Sequence, residues 1–231
     1  MMMLFAMFLF SRYHKSMKNI RPLSILLFMS LLFIGCAVKK EKTVLTTTKA
    51  YISPKLNSER IKIKYGNYGV DVLKATSLLR VSNLYSLHKN KKITRTLAFV
   101  EYPKQINQAF LKEHSRIING ASIGSTFKQS NWIIKKKHLL FSEIFPSVNY
   151  TGLYKLMGGI APSKLAIHTY KFTIEKEGKT YLYAIISEIH HPDYLSLTAL
   201  KKNYGNLECF DAVLLAKKNK LIEKEATLII P

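Results

Sequence analysis

The chain has 231 residues, of which 48% are hydrophobic, and it carries a formal net charge of +22 at neutral pH. This length suits one domain with a substantial hydrophobic core. The charge comes from 30 Lys and only 6 Arg, which argues against a dedicated nucleic-acid-binding protein because base and phosphate recognition favour the planar guanidinium group.

The N-terminal region has a basic start, an apolar stretch and a small residue before a cysteine. Counted from Met17, the segment consists of Lys18, Arg21, the mostly apolar residues 23–34, Gly35 and Cys36. This pattern resembles the signal peptide of a bacterial lipoprotein. The resemblance implies cleavage before Cys36 and attachment of lipid to its sulfur. Phe33 departs from the Leu most often found three residues before that cysteine.

Residues 1–16 do not fit this signal, because the polar residues 11–16 separate an apolar run, residues 1–10, from the second apolar run. We interpret residues 1–16 as an artefact of start-site assignment and residues 17–35 as the signal peptide. A hairpin of two membrane segments and a single uncleaved anchor are the alternatives. Neither apolar run reaches the about twenty residues that span a bilayer.

The resemblance implies a protein held in the bacterial cell envelope by its N-terminal lipid. Inner-membrane lipoproteins commonly have Asp after the cysteine, whereas Ala37 stands here, which favours the periplasmic face of the outer membrane. Residues 36–60 predict a lipidated tether, and residues 61–231 predict a single globular domain. From Cys36 onward the chain keeps 32 basic and 14 acidic side chains, a net charge of +18, which allows attraction to an anionic lipid or glycan surface.

Two hairpins and a helix are the clearest predicted elements. Apolar residues alternate with polar ones from Leu79 to Tyr102 around the turn at residues 88–91, with Arg80 and Ser82 opposite the apolar face. The helix covers residues 105–119 and ends at Gly120. The second hairpin covers residues 165–190 around the turn at residues 177–179.

The C-terminal part predicts a short helix with Asp193 as its N-cap, followed by two strands, residues 207–216 and 225–230. The lone Cys209 lies in the first of these apolar runs and is expected to be buried. The sequence has no internal repeat. Together these elements predict an α+β fold, a mainly antiparallel β-sheet with two or three helices packed on one face.

One motif suggests nucleophilic catalysis. Ser125-Thr126-Phe127-Lys128 is similar to the motif of penicillin-recognising serine enzymes, in which serine attacks an amide carbonyl and lysine takes its proton. Tyr204-Gly205-Asn206 is similar to a tripeptide of one branch of serine β-lactamases. The chain departs from that family because no Lys-Thr-Gly or Lys-Ser-Gly follows Asn206. Ser125 and Lys128 are therefore the candidate catalytic residues of an alternative function, an envelope hydrolase.

A second cluster suggests metal binding through Glu188, His190, His191 and Asp193. On a strand the first two share a face and His191 points away. Because a metal site needs three or four convergent ligands, another ligand must come from elsewhere, with His138 and His168 as candidates. The alternative interpretation is that these are strand-end and N-cap residues.

The sequence contains no phosphate-loop pattern, dinucleotide fingerprint or Gly-x-Ser-x-Gly elbow, and we expect no cofactor. Because an anchor and tether precede a domain without a coherent catalytic set, we expect a non-enzymatic binding or structural module of the envelope. Its expected partner is an envelope protein or an anionic glycan or lipid. A hydrolase and a metal-binding envelope protein are the alternatives.

Overall fold

The computed structural model describes residues 55–146, 151–205, 207 and 211–229. The signal region, Cys36, residues 37–54 of the tether and Cys209 lie outside these ranges. The strands are β1 (Gly69–Ala75), β2 (Leu79–His88), β3 (Lys91–Glu101), β4 (Ile133–Ile144), β5 (Leu165–Lys176) and β6 (Lys179–His190). The α-helices are α1 (Asn57–Tyr65), α2 (Leu111–Ile118), α3 (Ile123–Gln129), α4 (Thr151–Leu156), α5 (Leu197–Tyr204) and α6 (Ala212–Ile229), and a 3₁₀ turn, Gln108–Phe110, precedes α2.

The six strands form one antiparallel sheet in the order β1-β2-β3-β6-β5-β4. Each half of the chain contributes a three-stranded meander, and the last strands of the two meanders, β3 and β6, pair at the centre. The strand order is therefore symmetric about the β3–β6 pair, although the sequence itself shows no repeat.

Both predicted hairpins are confirmed. The β2–β3 turn has positive φ angles at Lys89 (48°) and Asn90 (62°), and the β5–β6 turn has them at Glu177 (53°) and Gly178 (74°). Two consecutive left-handed residues characterise the type I′ turn, whose twist matches that of the flanking strands. The predicted helix at residues 105–119 corresponds to the 3₁₀ turn and α2.

Helices α4 and α6 pack against one face of the sheet. Their apolar side chains meet those of the central strands in one buried cluster, and Leu97 and Phe99 of β3 are completely buried in it. The members from the other elements include Leu153, Met157, Ile167, Ile189, Ile222 and Ala226.

The remaining helices pack against the opposite face. Helices α2 and α3 cover an aromatic cluster at one end, which includes Phe110, Phe127, Trp132, Phe172 and Tyr183. At the other end, Ile61 of α1 and Leu200 of α5 are completely buried with Phe141. The predicted α+β fold with a mainly antiparallel sheet is confirmed, but helices pack on both faces and outnumber the two or three expected.

Helix α6 replaces the two strands predicted near the C terminus. Short apolar runs such as residues 213–216 suit a strand, but Leu215, Ile222 and Ala226 fall on one side of a helix and pack on the sheet. Two ion pairs attach the helix: Lys218, which is 2% exposed, donates to Glu101, and Lys74 Nζ lies 2.6 Å from Glu225 Oε2. The sequence prediction was wrong here because tertiary packing rather than local composition selects the helix.

Two boundaries also differ from the prediction. Helix α1 begins at Asn57, inside the predicted tether, and its Ile61 is fully buried. Helix α5 begins at Leu197, and its N-cap is Ser196, whose hydroxyl accepts a hydrogen bond from the Ala199 amide, rather than Asp193. None of the helices in the described ranges is long and apolar enough to cross a bilayer.

The two sides of α6 provide a test of its packing. We expect Ile222→Ala to lower the free energy of unfolding by about 2–4 kcal/mol. The Ile222 side chain is 3% exposed, so its removal leaves a cavity between α6 and the sheet. The matched variant Val213→Ala, at an 80% exposed position of the same helix, should change it by less than about 0.5 kcal/mol. Urea unfolding measures both, and equal small effects would contradict the packing of α6.

Candidate functional site

Charged and polar side chains occupy the centre of the face that α1, α3 and α5 cover. The strand registers place His168 of β5 opposite Glu188 of β6, and Glu188 opposite Ala98 of β3. His190 lies two residues further along β6, on the same face as Glu188 and opposite Thr96. Because side chains directly opposite in antiparallel strands have neighbouring Cβ atoms, these groups meet inside the protein.

Glu188 is the central residue of this cluster, and it is 5% exposed. Its Oε1 atom accepts hydrogen bonds from the Tyr170 hydroxyl and from Asn57 Nδ2, both at 3.1 Å. Its Oε2 atom lies 3.9 Å from His168 Nδ1 and 3.9 Å from His190 Nε2. Both of these distances exceed hydrogen-bonding range, so Oε2 faces two imidazole nitrogens without bonding either.

Each histidine is held from its other ring nitrogen. His190 Nδ1 lies 3.0 Å from Thr96 Oγ1, and His168 Nε2 lies 2.7 Å from His138 Nδ1. Among the described residues, His190 Nε2 is buried and has no hydrogen-bond partner. When Nδ1–H donates to Thr96, the lone pair of Nε2 is directed at the centre of the cluster.

Burial keeps these histidines neutral. Loss of solvation lowers the pKa of His190 to about 4, and the nearby Glu188 charge offsets this only in part. Loss of solvation likewise holds the pKa of His168 well below its ordinary value, and the neighbouring His138 and His190 lower it further. Neutral imidazole is the form that binds a metal ion.

Aromatic side chains from α5 and the loop before it enclose the cluster. The Tyr204 ring lies 4.7 Å from the His138 ring and 5.2 Å from the His168 ring, measured between centroids. The Tyr194 ring lies 5.9 Å from the His190 ring, measured between centroids. The Tyr194 hydroxyl donates a hydrogen bond to Asn57 Oδ1. The histidines therefore lie in a low-dielectric environment.

The ligand atoms of His168, Glu188 and His190 all lie within 4.8 Å of one another, and all three residues are buried. Two imidazoles and one carboxylate are a ligand set that suits zinc or ferrous iron. The ligand residues in turn contact Tyr170, Asn57, Thr96 and His138. In metal sites of proteins, such outer hydrogen bonds fix the orientation of the ligand side chains. The arrangement can hold a metal ion with three protein ligands.

A cavity of about 70 Å³ adjoins this cluster. It lies between the sheet, the start of α1 and the start of α3, and Glu188 forms part of its wall. Arg80, Ser82 and Lys136 contribute further polar groups to the wall. Arg80 is 1% exposed and Lys136 is 6% exposed, so both basic side chains point into the interior.

The structure brings together only part of the predicted metal cluster. Glu188 and His190 meet His168, one of the two histidines expected to complete the set, while His138 contacts His168. His191 points to the other face of the sheet, where its Nε2 lies 3.1 Å from the Met157 carbonyl. The Asp193 side chain is 80% exposed, and its backbone amide donates to His191 Nδ1.

The serine and lysine of the predicted nucleophile motif lie on α3. The Lys128 ammonium group is 47% exposed and pairs with Glu59 of α1, with Nζ and Oε1 2.7 Å apart. Ser125 is half-buried, and Asn206 of the second motif lies outside the described residues. An ion-paired surface lysine does not favour proton transfer from Ser125, since a lysine base must be deprotonated.

Sequence reasoning did not identify Arg80, Lys136, Thr96, Tyr170 or Asn57 as site residues. Period-two alternation placed Arg80 and Ser82 opposite the apolar face of β2, where a solvent-facing side is the usual expectation. Both faces of this sheet are covered, so alternation alone contained no signal for their burial.

No protein-family model matches the chain, and no curated protein matches it at a significant level.

The ion pair of Lys128 provides a test of the hydrolase alternative. We expect a fluorescent penicillin to leave the purified full-length protein unlabelled. The reason is that Lys128, which the mechanism needs as a base, forms an ion pair with Glu59 instead. A known penicillin-binding protein in the same gel serves as the positive control. Covalent labelling of the wild type that disappears in Ser125→Ala would contradict this interpretation.

Proposed function

We propose that the protein is a lipid-anchored lipoprotein of the bacterial envelope whose folded domain binds a divalent transition-metal ion through His168, Glu188 and His190. One observation supports the metal site above all others. Three buried ligand atoms converge within 4.8 Å. The other polar atom of each residue contacts a group outside the cluster: Glu188 contacts Tyr170 and Asn57, His190 contacts Thr96, and His168 contacts His138.

The distances favour a metal site over a network of direct hydrogen bonds. In such a network, Glu188 Oε2 would lie about 2.7–3.2 Å from an imidazole nitrogen, whereas both separations are 3.9 Å. A cation placed among the three atoms would bond all of them at about 2.0–2.2 Å after a small contraction. It would also give Glu188 Oε2, which bonds neither imidazole, a directly bonded partner of opposite sign.

The ligand types indicate the class of metal. Calcium and magnesium prefer oxygen ligands, whereas imidazole suits zinc, iron, copper and nickel. Three protein ligands would leave a coordination position for water or for a bound molecule. We therefore propose a zinc- or iron-class ion and use Zn²⁺ and Co²⁺ as probes.

Metal titration tests this site. We expect chelator-treated full-length protein to bind one equivalent of Zn²⁺ with a rise in melting temperature, because the ion binds only the folded state, and to show visible absorption bands with Co²⁺. Glu188→Gln and His190→Gln should abolish the Co²⁺ bands. The matched control is His88→Gln, at an exposed histidine of β2, which should bind as the wild type does.

A second variant keeps the test valid if the buried ligand variants fail to fold. Thr96→Val preserves side-chain shape but removes the contact to His190 Nδ1, and we expect it to weaken binding by about 10- to 100-fold. Absence of stoichiometric binding to the wild type, or equal affinity of wild type and Thr96→Val, would contradict the proposed site.

The anchor part of the proposal rests on the pattern that ends at Gly35-Cys36. Since α1 begins at Asn57, residues 37–56 would link the lipid to the folded domain. A flexible linker of this length reaches about 25 Å on average, enough to hold the domain clear of lipid headgroups. We place the protein on the periplasmic face of the outer membrane. There the net charge of +18 that the chain carries from Cys36 onward would favour anionic partners.

Metabolic labelling with radioactive palmitate tests the anchor. We expect the wild-type chain to incorporate label because the Cys36 sulfur and amino group carry the lipid, and Cys36→Ala to incorporate none. Cys209→Ala is the matched control, because it removes the other cysteine of the mature chain, and it should label fully. An unlabelled wild type, or label that persists in Cys36→Ala, would refute the anchor.

A further inference from the structure

The cavity beside Glu188 contains a cationic group that forms no ion pair with any described residue. Arg80 lies on an inner strand of the sheet, because β2 is paired on both sides, and the residues opposite Arg80 are Ala75 of β1 and Val100 of β3. The Arg80 side chain is 1% exposed and lines the cavity. Its Nε and Nη2 atoms are buried and have no hydrogen-bond partner among the described residues.

Such a group is costly to leave unpaired. A guanidinium group stays protonated in proteins, so burial cannot be relieved by loss of its proton. Its described neighbours are the hydroxyl groups of Tyr68, Tyr102 and Tyr183, which carry no charge while protonated. The Tyr102 hydroxyl also interacts with the guanidinium group as a hydrogen-bonding neighbour, but it supplies no negative charge. Ser82, the next residue on this face of β2, also lines the cavity and has a buried Oγ atom without a partner.

The other charges in the cavity wall do not neutralise Arg80. Glu188 is the acidic residue of the wall, and its Oε1 atom is already bonded by Tyr170 and Asn57. Lys136 adds a second basic side chain and lies with its Nζ atom 4.4 Å from the centre of the Tyr170 ring. Burial lowers the pKa of Lys136, so the permanent positive charge of the wall is that of Arg80.

The helix above the cavity adds a smaller contribution. Leu56, Asn57 and Ser58, at the start of α1, lie in the wall, and a helix N-terminus carries the positive end of the helix dipole. Glu59 of the first turn accepts a hydrogen bond from the Leu56 amide and offsets this dipole in part. The positive charge of the cavity therefore comes mainly from Arg80 on the sheet.

The volume limits what can bind. A water molecule needs a cavity of about 10–15 Å³, so a cavity of about 70 Å³ accommodates roughly five non-hydrogen atoms. A carboxylate or phosphate group has this size, and both match the planar fork of an arginine. A bulky ligand would have only its anionic end inside.

We infer that this cavity is a binding site for a small oxyanion group, a carboxylate or a phosphate, with Arg80 as its principal ligand and Ser82 and Lys136 as further donors. The inference rests on Arg80 and the cavity. It does not require the metal ion proposed above, although Glu188 borders both sites.

Calorimetric titration of chelator-treated full-length protein tests this inference separately from the metal site. Sodium acetate and sodium phosphate are titrated at constant ionic strength against sodium chloride, and the stronger of the two identifies the oxyanion. We expect saturable one-to-one binding to the wild type and at least about tenfold weaker binding to Arg80→Met, because a charge-assisted hydrogen bond is lost. Arg116→Met, at an exposed arginine of α2, is the matched control and should bind normally.

The melting temperature of the ligand-free protein provides an independent readout. Because Arg80 is buried without an anion, an apolar side chain of similar length should raise the melting temperature in chloride buffer. A purely structural arginine would instead make Arg80→Met less stable, and this result would overturn the inference. So would absence of saturable binding to the wild type, or equal affinities of the wild type and Arg80→Met.

A cavity-filling variant serves if Arg80→Met does not fold. Ala98→Val adds two methyl groups at a wall position on β3 and leaves Arg80 in place. We expect it to abolish oxyanion binding, and unchanged affinity would overturn the inference. Normal Zn²⁺ binding by either variant, together with lost oxyanion binding, separates this site from the metal site.

Discussion

The pairing of β3 with β6 is the contact on which the rest of the structure depends. Each meander alone has only three strands, and β3–β6 hydrogen bonds are what join them into one sheet. The same pairing places Glu188 between Ala98 and His168, and His190 beside Thr96. A register shift of one residue would move Glu188 and His190 to the opposite face and bury apolar side chains in their place.

Because helices cover both faces of the sheet, burial of this polar centre is energetically unfavourable. Arg80, Lys136 and Glu188 lose nearly all contact with water, and burying an unpaired charge costs several kcal/mol. The aromatic cluster around Phe127 and the aliphatic cluster around Phe99 supply the compensating burial. Apolar side chains would make this centre more stable, and the two proposed binding sites account for the charged groups that it contains instead.

Local sequence patterns predicted the elements that are determined locally. The β2–β3 and β5–β6 hairpins follow from alternation and turn residues, and both are present. Elements that depend on distant contacts were missed: α6 is selected by packing against β3 and β4, and Arg80 is buried because α1 and α3 close over β2. The pair Glu188 and His190 follows from a period of two. His168 could be named only together with His138 as a candidate third ligand, because strand register, which a single sequence does not reveal, decides between them.

Glu188 connects the two proposed sites through charge. On one side its carboxylate faces the imidazoles of His168 and His190 at 3.9 Å, and on the other it borders the cavity of Arg80 and Lys136. A cation bound at the histidines would withdraw Glu188 from the charge balance of the cavity, leaving the Arg80 charge to face an oxyanion. Under the two proposals the sites would therefore be coupled, each ligand favouring the other by the same free energy, as thermodynamic linkage requires.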